Sequence, residues 1–112
     1  MVDFRYKKND TAPKLRYRVT DRDGDLVDLH TGTLAASSAR LLMRKPDRTV
    51  LSPQLTIEGA ASASWVNYTL TASTFDAAGY YPFETEVRWS DGTLTTYPES
   101  GYKVVYVTPE LG

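Results

Sequence analysis

Asp21, Asp23 and Asp25 alternate through a segment that also holds Gly24, and hard cations such as calcium seek several carboxylate oxygens converging on one point. The segment lacks the roughly 12-residue ligand spacing of an EF-hand and any glutamate at its far end. It reads as a hairpin turn in which glycine tolerates the positive φ that primed turns need. His30 is the only histidine, and so the only side chain that titrates near neutrality unperturbed. The chain has no cysteine and no Gly-x-Ser-x-Gly segment, so neither a zinc site nor a hydrolase triad can be assembled from recognisable parts. Glu84 and Glu86 are a nominal acid pair, but residues two apart on a strand point the same way, roughly 6.5 to 7 Å apart and toward solvent. The expectation is a protein that is not an enzyme, with no cofactor and no metal.

Aromatic residues carry more information. The chain holds eight Tyr and two Trp. Trp89 is in phase with a run of apolar positions, whereas Trp65 is out of phase with Val66, Tyr68 and Leu70 and should face outward. An outward Trp is a contact residue, because Trp and Tyr are enriched where proteins bind proteins and their flat faces also stack on sugars.

The elements that must position these side chains are short strands. Asp76-Ala77-Ala78-Gly79-Tyr80-Tyr81 opens an alternating segment that runs to Asp91-Gly92, with Tyr81, Phe83, Val87 and Trp89 on one side and Glu84, Glu86, Arg88 and Ser90 on the other, as a half-buried antiparallel strand requires. Tyr81 lies two residues before Phe83, where immunoglobulin-like domains place a tyrosine corner and the following core cysteine. Phe83 would take the cysteine's place. Further strands are expected at about 2–8, 14–20, 33–44, 49–51, 54–58, 64–71, 94–97 and 102–107. Turns are expected at Asn9 to Pro13, Asp21 to Asp25, Lys45 to Arg48, Asp91-Gly92 and Pro98 to Gly101. Leu26 to Leu29 should form the arm that follows the Asp turn. Pro53 confines its neighbourhood to an edge or a bulge, and residues 72–76 could make one helical turn. Turn signals about every ten residues, without long helical patterns, predict an all-β protein. The expected architecture is a single immunoglobulin-like antiparallel β-sandwich spanning residues 1–112.

A chain of 112 residues can bury roughly two-thirds of its unfolded surface, enough for a core without metals or disulfides. No segment approaches the roughly 18 apolar residues of a membrane span, and the first residues lack the apolar run of a secretory signal. The sequence thus predicts a product made in the cytoplasm, without membrane attachment. A formal net charge of −1 argues against general nucleic-acid binding, which needs a clear basic excess. That total hides a division. Residues 1–56 carry 11 Lys or Arg against 7 acids, and residues 57–112 carry 2 against 7. Lys14, Arg16 and Arg18 alternate with Leu15, Tyr17 and Val19, so the cations should share one outer strand face. With Glu84 and Glu86 outside the opposite sheet, the module would have a basic and an acidic exterior, and salt-sensitive self-association would follow.

Several segments together resemble a known family. They are Phe4-Arg5-Tyr6-Lys7-Lys8-Asn9-Asp10-Thr11-Ala12-Pro13-Lys14-Leu15, then Asp21-Arg22-Asp23-Gly24 and Val27-Asp28-Leu29-His30-Thr31-Gly32. Leu42-Met43-Arg44, Ala78-Gly79-Tyr80-Tyr81, Trp89-Ser90-Asp91-Gly92, Tyr97-Pro98, Gly101-Tyr102 and Val105-Tyr106-Val107 continue the pattern. The chain resembles the N-terminal immunoglobulin-like domain of phage baseplate upper proteins and the short phage proteins built on it. The resemblance implies a virion structural protein without catalysis, attached to the tail, baseplate or capsid of a tailed bacteriophage. Longer members continue into helical and receptor-linked segments, whereas this chain stops at Gly112, so an adaptor or decoration subunit is expected. Expected partners are other virion subunits, a second copy, or, as an alternative, a glycan met by Trp65 and the tyrosines. Expected contacts are Phe4, Tyr6, Lys14, Arg16, Arg18, Trp65, Glu84 and Glu86.

Overall fold

A computed structural model describes residues 2–21, 23–30, 35–59, 64–98 and 102–109. The described residues form nine strands and no helix: β1 (Phe4–Lys7), β2 (Leu15–Arg18), β3 (Ala36–Arg44), β4 (Val50–Leu51), β5 (Gln54–Ile57), β6 (Trp65–Tyr68), β7 (Gly79–Trp89), β8 (Leu94–Tyr97) and β9 (Lys103–Thr108). The expected strand at 2–8 is thus shorter, and the 33–44 strand is described from Ala36. Residues 26–29 are not a strand, contributing one bridge between Thr20 and Leu26. Residues 72–75 make a hydrogen-bonded turn rather than helix. The expected turn at Pro98 to Gly101 lies largely outside the described residues, as do Arg22 and Thr31 to Leu34.

The strands follow the order β1-β9-β7-β3-β5-β6-β2, with β4 added to β3 and β8 to β7. One strand bends this ladder into two layers. Gln54 and Leu55 pair with Arg40 and Ala39 of β3, while Thr56 and Ile57 pair with Asn67 and Val66 of β6. β5 therefore passes from one sheet to the other, as strands do at the corners of packed sheets. Every pairing is antiparallel except β1 with β9. The fold is all-β, a curled sheet closed into a sandwich. Its β2–β6 and β3–β7–β9 pairings are compatible with the immunoglobulin arrangement, in which B lies beside E and F between C and G.

The core sits between the layers where the period-two pattern puts it. Leu15, Tyr17 and Val19 from one side meet Leu41, Met43, Tyr81, Phe83 and Val87 from the other, all buried. The tyrosine corner is present: Tyr81 Oη donates to Ala77 O at 2.6 Å and accepts from Ala77 N at 3.3 Å. Where antibody domains place a disulfide between sheets, the Tyr17 and Phe83 rings here meet edge-on at 5.1 Å, and Tyr17 Oη shares a 2.6 Å hydrogen bond with Thr85 Oγ1. Burial pushes the Tyr17 hydroxyl well above its ordinary value. Gly79 opens β7 at φ 139°, where a Cβ would stand only 2.9 Å from Pro46 Cγ.

Candidate docking surfaces

The outer face of β2 and β6 carries the predicted cations. Arg16 and Arg18 are exposed and stand opposite Asn67 and Trp65, and Lys14 is exposed just before the strand. Trp65 faces outward, as its phase predicts, and is half-buried because guanidinium groups cover it. Arg16 Cζ lies 3.8 Å from the ring centroid and Arg18 Cζ 4.9 Å away. Such stacking costs the guanidinium none of its in-plane N–H donors. Arg16 is fixed further by Glu58, which accepts from Nε at 2.8 Å and from Nη2 at 2.9 Å, while Asn67 Nδ2 donates to the same carboxylate at 3.0 Å. The Arg16 hydrogen bond, followed by that of Asn67, holds the Glu58 carboxyl below its usual range. Sequence reasoning missed Glu58. Its outward phase after Thr56 is readable, but its partner lies 42 residues away.

The acidic exterior expected from Glu84 and Glu86 is not present. Glu86 stands directly opposite Arg40 of β3, Arg88 follows two positions along, and Arg44 shares the face of Arg40. Alternation places the two glutamates outside correctly, but β3 sets Arg40 opposite Glu86 and Leu42 opposite Glu84. Ser38, Arg40, Gln54, Glu86 and Arg88 line a small polar pocket of about 120 Å³ there.

Further along this face the surface changes character. Leu42, Arg44, Val50, Pro82, Glu84 and Tyr102 line an open groove of about 330 Å³. Val50 on β4 and Tyr102 just before β9 are 59% and 62% exposed, which leaves apolar area facing water. On the adjoining strands Tyr80 stacks against Tyr106 with centroids 4.7 Å apart, and Arg5 lies over the Tyr106 ring at 5.7 Å. Sequence reasoning missed the groove because it is assembled from separate segments of the chain.

Phe4 and Tyr6, expected as contacts, turn inward instead. Phe4 packs against Tyr17 and Phe83 at 6.2 and 6.1 Å, and Tyr6 against Phe75 at 4.8 Å. Tyr6 Oη donates to Pro13 O at 3.1 Å, which ties β1 to the approach of β2. Pairing with β9 fixes this phase, since Phe4 and Tyr6 align with the buried Val105 and Val107.

The Asp segment is a turn, as expected. Asp21 Oδ1 accepts from the N–H groups of Asp23 and Asp25 at 2.9 and 3.1 Å, and Gly24 has φ 83°. The three carboxylates offer oxygens within 4.8 Å of one another, but one Asp21 oxygen is already engaged by the backbone. His30 is half-buried, and no group of three or more His, Cys, Asp or Glu among the described residues includes it. No helix among the described residues is long and apolar enough to cross a membrane.

No protein-family model matches the chain, and no curated protein sequence matches it. Among solved structures, the chain is similar to the crystal structure of CopC from Methylosinus trichosporium OB3b, with a TM-score of 0.58 at 12% identity over 100% of this chain and 89% of that one. At that identity the likeness is one of β-fold alone.

Proposed function

We propose that the chain is a non-enzymatic docking subunit of a tailed-bacteriophage virion, an adaptor or decoration protein that attaches to tail, baseplate or capsid proteins. The observation that carries the docking role is the apolar groove between β3, β4 and β7, bordered by the exposed Val50 and Tyr102. Apolar area of this kind, rimmed here by Arg44 and Glu84, is a feature of protein-binding surfaces. The virion setting rests on the sequence resemblance. A single small groove gives a modest interface, which repetition on a symmetric particle multiplies into firm attachment.

The test is gradient sedimentation of purified virions lacking the protein, mixed with the isolated chain. Wild type should co-sediment, and Val50→Asp combined with Tyr102→Ala should not. Equal co-sedimentation of the variant, or none by wild type, would count against the reading.

A glycan-binding module displayed on the particle is the second reading, favoured by the Tyr80–Tyr106 pair with Tyr80 61% exposed. Trp65 is a poorer platform than its phase suggests, because a sugar would have to displace Arg16 or Arg18. Glycan-array binding lost in Tyr80→Ala would support it, and binding to virion proteins alone would reject it.

A further inference from the structure

β2 ends the strand order. Val19 N donates to Ser64 O at 2.8 Å, and the two-residue alternation of an antiparallel ladder then directs Leu15 and Tyr17 toward β6. The N–H and C=O groups of Arg16 and Arg18 point the other way, to an edge that no described strand occupies. The arm after the Asp turn pairs only with the chain beyond β2, where Val27 N donates to Val19 O and Asp21 N to Asp25 O, both at 2.9 Å. It then leaves, because Leu29 is buried and its carbonyl accepts from Ala36 N at 3.0 Å.

Cations on an edge strand ordinarily guard it against pairing. Here they do so selectively. A second copy's β2 would set like charges against one another, whereas an oppositely charged strand would find Lys14 and Arg18 beside it, Arg16 being already held by Glu58. Lys14, Arg16 and Arg18 recur every second residue, about 6.5 to 7 Å apart, the spacing of alternate side chains on any extended segment. Arg16 is immobilised by Glu58 and Trp65, and Arg18 is stacked on Trp65 with no carboxylate of the described residues on its guanidinium. Held against the Trp65 ring, its guanidinium can take a carboxylate at reduced entropic cost.

We infer that the β2 edge is a strand-addition site for an extended acidic segment of a partner protein, with carboxylates at alternate positions. Main-chain bonds to Arg16 and Arg18 supply the attachment, and the alternating acids set the register. Nucleic acid is the poorer match, since one Trp65 face is occupied by Arg16 and the patch holds one carboxylate among three cations. The site is on the opposite sheet from the groove, so it stands or falls separately from the virion reading.

The test is NMR on the whole chain with three synthetic heptapeptides: alternating Thr-Glu-Thr-Glu-Thr-Glu-Thr, its block isomer Glu-Glu-Glu-Thr-Thr-Thr-Thr, and the alternating Thr/Lys sequence. An oligodeoxythymidylate serves as a fourth ligand. The alternating acidic peptide should slow amide exchange at Arg16 and Arg18 about tenfold at saturation. Lys14→Glu combined with Arg18→Glu, both at exposed positions, should weaken its binding by about tenfold. Unprotected Arg16 and Arg18 amides would overturn the inference. So would equal binding of the block isomer or the Lys peptide, or tighter binding of the oligonucleotide.

Discussion

The Tyr17–Thr85 hydrogen bond joins the two sheets at the centre of the core, and its energetic role can be measured by a double-mutant cycle. Tyr17 is 3% and Thr85 2% exposed, and their oxygens are 2.6 Å apart. Tyr17→Phe keeps the ring against Phe83 but leaves the Thr85 hydroxyl buried without this partner. Thr85→Val leaves the Tyr17 hydroxyl in the same position. Each loss should cost about 2 kcal/mol, the range for a buried group deprived of its partner. Removing both hydroxyls strands neither, so the double variant should cost about 1 kcal/mol and the coupling should reach about 2 to 3 kcal/mol. For a chain of 112 residues, unfolding entropy makes 1 kcal/mol worth about 4 °C, so each single variant should melt about 8 °C lower. Urea and thermal unfolding followed by circular dichroism give all the terms. A double variant whose cost equals the sum of the singles would refute the idea that this bond couples the sheets.

Alkaline pH should act through the same residue. Burial raises Tyr17, Tyr6 and Tyr81 above their ordinary value, so stability is fully present below about pH 10 and falls as pH rises through the folded values. Absorbance at 295 nm should show tyrosinate from Tyr17 only on unfolding. Acid acts in the opposite direction. Glu58, Asp47 and Asp91 are held low by their hydrogen bonds, so their contribution is complete above about pH 4.5 and lost as pH falls through the folded values. A Glu58→Gln variant should flatten the acid limb of a stability–pH curve. Gly79→Ala should destabilise by about 2 kcal/mol, read from the urea midpoint, because φ is 139° and the new Cβ would meet Pro46.

Features that depend on neighbours in sequence are legible. Alternation in β7 places Tyr81, Phe83, Val87 and Trp89 inside, and the phase of Trp65 places it outside. The same rule applied to Phe4-Arg5-Tyr6-Lys7 puts both rings on one face, where the sequence predicts contacts, and only pairing with β9 shows that this face is the inner one. Features that depend on which strand lies alongside are not legible. Nothing near Glu86 in sequence announces Arg40, and nothing near Arg16 announces Glu58. The groove illustrates the limit, since Leu42, Val50, Pro82 and Tyr102 each read as ordinary strand or turn residues until the fold brings them together.

The parallel pairing of β1 with β9 gives the chain a direction of travel. Phe4 lies beside Val105 and Lys7 beside Thr108, so both strands run the same way along one edge of the sheet. A fusion partner joined ahead of β1 would extend toward the β8 end, and one joined after β9 would extend past the Gly79 end. Tandem copies would thread in line like beads rather than fold back on one another, and because Asp3 lies against Val104 each junction ahead of β1 would pass close to Tyr102 and the groove.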